Sequence, residues 1–113
     1  DTLNWIASKL GSNPTVGLVG LGFKPGTSVT TEGLAEKLLK MGKLKDKEVI
    51  VYDKFADSFN NLSQDIDQVV TLATDLENLL EVVDTVILCN GDSVYDYDKI
   101  PSDINVIDPW RIL

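Results

Sequence analysis

Residues 15–20 and 85–89 are apolar almost without interruption, whereas the segments around them place apolar side chains three and four positions apart. Uninterrupted short runs are the mark of strands covered on both faces, and the wider spacing marks one face of a helix. Residues 1–10 carry Leu3, Ile6 and Leu10 at helical spacing, and Gly11-Ser12-Asn13-Pro14 forms a stop signal. A strand over 15–20 follows, and then a helix over 31–41, in which Leu34, Leu38 and Met41 recur and Gly42 closes the turn. Residues 48–53 predict a second strand ending in an acid, and Asn60-Asn61-Leu62-Ser63 reads as a turn. A short third strand covers 68–72. Asp75 then caps a helix with Leu76, Leu79, Leu80 and Val83 on one face. The strand over 85–89 is the fourth. A polar, tyrosine-bearing connection over 90–101 leads to a fifth, short strand at 105–108.

Strand, helix and strand alternate with connections short enough for right-handed crossovers. The pattern predicts a Rossmann-like α/β domain of three layers, with a mostly parallel sheet of five to six strands. At 113 residues one domain is the economical reading. The net charge of −8, from 18 acidic against 10 basic residues, repels nucleic acid and anionic membrane, so neither is an expected partner. An anionic ligand must then meet a local positive site, which makes single Lys and Arg positions informative. Histidine is absent, which removes the commonest general base and metal ligand, and no metal site is expected. The single cysteine, Cys89, allows no disulfide within the chain. No run approaches the 18 or so apolar residues of a membrane span, so a cytoplasmic protein is the default. Because Asp1 opens inside a helical pattern, the chain is expected to be part of a longer protein.

The candidate chemistry gathers after the first strand. Gly20-Leu21-Gly22 with Gly26 is GxGxxxG, one residue longer than the dinucleotide fingerprint, and Asp53 closes the second strand where a ribose-binding acid belongs. The alternative is a plain strand-to-helix turn, with Asp53 bonding a neighbouring loop. Phe23 and Lys24 put an aromatic ring and a cation at the edge where open α/β sheets bind ligands, beside glycine-turn amides that can face an anion; the alternative is a solvated lysine beside a core phenylalanine. Pro109-Trp110-Arg111 emerges at the same edge, with a guanidinium suited to phosphate or carboxylate; the alternative is a terminal Trp covering the core edge beside an exposed Arg. Cys89 ends an apolar strand without an activating base and reads as a buried structural thiol. Asn90-Gly91-Asp92 and the cluster Tyr95, Asp96, Tyr97, Asp98 could contact a ligand at that edge, or form a solvated loop with turn chemistry, the commoner case.

With these residues in hand, the chain resembles the C-terminal domain of the UDP-glucose/GDP-mannose dehydrogenase family. Residues 19–27, V-G-L-G-F-K-P-G-T, look like that family's GLAFKPNT-type segment, and Glu32 fits the glutamate of its RES motif. Residues 48–53 resemble the V-x-x-Y-D strand. Residues 75–88 resemble its next helix and strand, with Asp84 as the aspartate, and residues 108–113 resemble its closing D-x-R-x-x-L.

The resemblance implies an enzyme that oxidises the C6 alcohol of a UDP- or GDP-sugar to a carboxylate, in two NAD-dependent steps through a thiohemiacetal. Such enzymes serve polysaccharide biosynthesis. NAD and the cysteine nucleophile belong mainly to an N-terminal part that this chain lacks, so the fragment alone is expected to be inactive, with no catalytic residue of its own. Residues 1–14 would end the helix from the preceding domain, and residues 15–113 would form the nucleotide-sugar-binding C-terminal domain. Gly22, Phe23, Lys24 and Arg111 are the implied substrate contacts. Thr31 stands where the family has an arginine reaching toward NAD, with Glu32 beside it as the other implied cofactor contact. The family also implies a homodimer or higher oligomer of the full-length protein. The second reading is a stand-alone Rossmann-like module that binds a nucleotide or mediates assembly without catalysis.

Overall fold

The computed structural model describes residues 2–22, 33–55, 57–63, 66, 68–90 and 97–110. Its elements, in chain order, are α1 (Thr2–Leu10), β1 (Thr15–Val19), α2 (Leu34–Lys40), β2 (Glu48–Tyr52), α3 (Ser58–Ser63), β3 (Val70–Leu72), α4 (Leu76–Val82), β4 (Thr85–Leu88), a 3-10 turn (Tyr97–Lys99) and β5 (Asn105–Ile107). The five strands form one parallel sheet in the order β3-β2-β1-β4-β5. The strands expected at 15–20, 48–53, 68–72, 85–89 and 105–108 are all present, trimmed by a residue or two at their ends.

β1 lies at the centre of the sheet, which accounts for its apolar character. Val16 and Leu18 face one side and Val19 the other, and all three are buried. On the first face, Ile6 and Leu10 of α1, Ala35, Leu38 and Leu39 of α2, and Leu62 of α3 pack with Val16, Leu18, Val49, Val51 and Ile87. On the second, Leu79 and Leu80 of α4 pack with Val19, Ile50, Val86 and Leu88. Two helical layers thus enclose the sheet, as the alternation of elements predicts.

Local chemistry sets the helix ends. The Asp75 carboxylate accepts the N–H of Asn78 at 2.7 Å, the side-chain cap expected of it. At the end of α2, Gly42 has φ +71°, its N–H bonds the carbonyl of Leu39, and the N–H of Lys43 bonds that of Leu38. This double bond pattern satisfies two terminal carbonyls and depends on a residue that accepts positive φ.

Two expectations need correction. The segment Asn60-Asn61-Leu62-Ser63 is not a turn but most of α3. Its asparagines are weak helix formers, yet Leu62 is fully buried and Phe59 packs on the same core, so burial outweighs propensity. Met41 does not extend the apolar stripe of α2: it is the C-cap residue and is 63% exposed.

Candidate functional site

In an open α/β sheet, ligands bind outside the C-terminal strand ends, at the point where strand order reverses. Here that point falls between β1 and β4, because the chain builds β1, β2 and β3 outward on one side before crossing to β4 and β5 on the other. The residues that follow those strands are Gly20-Leu21-Gly22 after β1, Asp53 after β2, Cys89-Asn90 after β4 and Asp108-Pro109-Trp110 after β5.

Gly20 turns the chain out of the sheet with φ +83°. Its N–H bonds the carbonyl of Tyr52 at 2.9 Å, continuing the ladder between β1 and β2. A Cβ at this position would lie 2.6 Å from Oδ1 of Asn90, so backbone conformation and close approach both call for glycine. Asn90, expected in a solvated loop, is instead buried at 4% exposure, and its Nδ2 donates to the carbonyl of Gly22 at 3.3 Å. The amide therefore spans the crevice between β1 and β4 and clasps the glycine turn.

Asp53 holds that turn from the other side. Oδ2 accepts the N–H of the fully buried Leu21 at 2.6 Å, and Oδ1 accepts the N–H of Phe55 at 2.8 Å. The carboxylate is itself 8% exposed. Of the two roles open to Asp53 on sequence, the structure has the loop-bonding one. Both oxygens accept backbone N–H groups, and the sequence lacks the fingerprint's third-glycine spacing. The N–H groups of Gly20 and Leu21, expected to face an anion, point instead to Tyr52 and Asp53.

Helix–sheet proximity is supplied elsewhere. A Cβ on Gly17, within β1, would lie 2.5 Å from Cδ2 of Leu79 and 3.3 Å from Cγ2 of Val83. The bare strand lets α4 settle onto the second face of the sheet.

Cys89 is buried, as expected of a structural thiol, and burial pushes its pKa well up, which keeps it protonated and unreactive. Its N–H bonds the carbonyl of Val19 at 2.9 Å, and its own carbonyl accepts the indole N–H of Trp110 at 3.0 Å. Trp110 is nevertheless 51% exposed. After β2, the ammonium of Lys54 lies 5.1 Å from the ring centroid of Phe55, a cation at the same sheet edge that the sequence reading passed over. The signal available was Asp53-Lys54-Phe55 directly after an apolar strand.

Of the site residues expected from sequence, Gly22 lies in the clasped turn, and its carbonyl is the acceptor for Asn90. Phe23, Lys24, Thr31, Glu32 and Arg111 lie outside the described residues. Among the described residues, no group of three or more acidic, cysteine or histidine side chains is placed to hold a metal. No described helix is long and apolar enough to cross a membrane.

No protein-family model and no curated protein sequence matches this chain. Solved structures do. A UDP-glucose dehydrogenase from the hyperthermophilic archaeon Pyrobaculum islandicum superposes with a TM-score of 0.73 at 23% identity, over 95% of this chain and 24% of its own. A GDP-mannose dehydrogenase from Pseudomonas aeruginosa, solved as a ternary complex, superposes with a TM-score of 0.69 at 25% identity, over 95% of this chain and 26% of its own. The chain has the fold of one domain of the UDP-glucose and GDP-mannose dehydrogenases, and it spans about a quarter of their length.

Proposed function

We propose that residues 15–113 are the nucleotide-sugar-binding, C-terminal domain of an NAD-dependent 6-dehydrogenase, with residues 1–14 ending the helix from a preceding domain. The observation that carries this reading is the likeness to two nucleotide-sugar dehydrogenases, over almost all of this chain and a quarter of theirs. The glycine turn at the β1–β4 crossover agrees with it, since that is where this architecture receives ligands. In this reading the substrate is a UDP- or GDP-sugar whose C6 alcohol becomes a carboxylate. The nucleotide end lies along Gly22, Phe23 and Lys24, and Arg111 pairs with an anionic group. NAD belongs to the part of the enzyme outside this chain, in keeping with the inward-facing Asp53. Residues Thr31 and Glu32 are the candidate contacts toward it. The full-length enzyme is proposed to be a cytoplasmic homodimer or higher oligomer.

Calorimetry of this chain against UDP, GDP and NAD tests the assignment. Heat of binding is expected with UDP or GDP; binding of NAD with neither nucleotide would reverse it. In the full-length enzyme, Lys24→Ala and Arg111→Ala should each raise the substrate KM, and unchanged KM and kcat in both would remove these residues from the site.

A further inference from the structure

We infer that Trp110 is the stacking platform for the nucleobase, a step that rests on the nucleotide-binding reading above. Tryptophan brings a large flat apolar face and a single polar handle, its indole N–H. Here the handle is already engaged: Nε1 donates to the carbonyl of Cys89 at 3.0 Å. Cys89 directly follows β4 and is bonded through its own N–H to the carbonyl of Val19 in β1. The ring is thereby pinned at the C-terminal sheet edge, next to the β1–β4 crossover. Even so, 51% of the residue stays open to solvent. With its one donor engaged, the indole has apolar contact left to offer a ligand, and a π face favours another flat ring.

Charge points the same way. In a chain of net charge −8, much of the surface repels a nucleoside diphosphate, and stacking on a neutral ring is a contribution that this charge does not oppose. Stacking on an aromatic side chain also tolerates different bases, because every base has a π face. The Asn90 clasp keeps the floor of the crevice in place beneath this edge, with the Gly22 carbonyl fixed to the amide. The indole and the glycine turn thus both stand at the C-terminal end of the sheet, the ring tied to Cys89 after β4 and the turn following β1.

The chain has two tryptophans, so Trp5→Phe on α1 leaves Trp110 as the sole indole emitter. In that background, UDP or GDP should quench Trp110 emission along the calorimetric binding curve, while glucose alone should leave it unchanged. Trp110→Leu should weaken the nucleotide by roughly tenfold in Kd, about 1.4 kcal/mol, and Trp110→Tyr should restore most of the affinity. Should wild-type chain bind a nucleotide while the emission and the Trp110→Tyr and Trp110→Leu affinities stay constant, the platform is refuted and the nucleotide site survives. Quenching by glucose at concentrations where UDP and GDP have no effect refutes the base in favour of a sugar ring. Absence of any calorimetric signal with UDP or GDP defeats the nucleotide reading itself, and the platform with it. If Trp110→Leu does not fold, the emission titration and the tyrosine variant decide the matter.

Discussion

Asp53 is the sharpest test of how this edge is built. Its two oxygens accept backbone N–H groups at 2.6 and 2.8 Å, and the residue is 8% exposed. A hydrogen bond to a charged group contributes about 1.5–3 kcal/mol net, and a buried donor left without a partner forfeits that and its hydration. Asp53→Ala strands the N–H of Leu21, which is fully buried, and frees that of Phe55, so a loss of roughly 3–5 kcal/mol follows. Asp53→Asn keeps one acceptor oxygen and turns an NH2 group toward the other donor, for a loss of about 2 kcal/mol. With a urea slope of about 2 kcal/mol/M, the midpoint falls by about 2 M for alanine and about 1 M for asparagine. If the two bonds contributed nothing to the fold, both variants would keep the wild-type urea midpoint. A midpoint for Asp53→Ala within about 0.3 M of wild type would refute the loop-tying role.

Four further substitutions probe the same architecture. Gly20→Ala forces a Cβ to within 2.6 Å of Oδ1 of Asn90 at φ +83° and should cost about 2 kcal/mol or more in urea unfolding. Adding Asn90→Ala relieves the contact, so a double-mutant cycle should depart from additivity by more than about 0.5 kcal/mol; an additive cycle would remove the clasp from the account. Gly17→Ala meets Leu79, which is fully buried and has little room to withdraw, and should lower stability by about 1–3 kcal/mol; an unchanged urea midpoint would show that α4 can shift freely. Cys89 should resist alkylation in the native chain and react once unfolded. Because its folded pKa is raised, the folded state holds the thiol proton longer, so stability is intact below the ordinary value of about 8.5 and falls above it by up to about 1.4 kcal/mol per pH unit. Cys89→Ala should flatten that slope in paired urea titrations at pH 7.5 and 9.5; an identical slope in the variant would sink the linkage.

The strands were legible because a centrally placed parallel strand has no polar face to hide it: β1 and β4 are buried on both sides and their sequences say so. The helix at Ser58–Ser63 was not legible, because its large apolar residues are two, Phe59 and Leu62, and its asparagines spell a turn. Met41 misled for the opposite reason, since an apolar residue at the right interval lies one step past the last turn that faces the core. Asp53 was the subtlest case. An acid that receives a ribose and an acid that ties a loop occupy the same place in the chain, after the second strand, and differ only in where the carboxylate points.

That direction has a consequence for how an anion could be held here. A dinucleotide loop offers its backbone N–H groups to a pyrophosphate. In this chain the N–H of Gly20 belongs to Tyr52 and that of Leu21 to Asp53, so the start of the turn has spent its donors on the protein. A nucleoside diphosphate at this edge must therefore find its counter-charge mainly in side chains. That demand favours the proposed roles of Lys24 and Arg111 over a phosphate-cradling loop. In the proposed reading the Asp53 carboxylate faces two N–H dipoles within the fold, which reduces the repulsion it would exert on an anionic ligand across the crevice. The glycines after β1 thus shape the floor of the crevice and Asn90 clasps it, and in the proposed reading binding strength comes from Lys24, Arg111 and the indole of Trp110 rather than from loop amides.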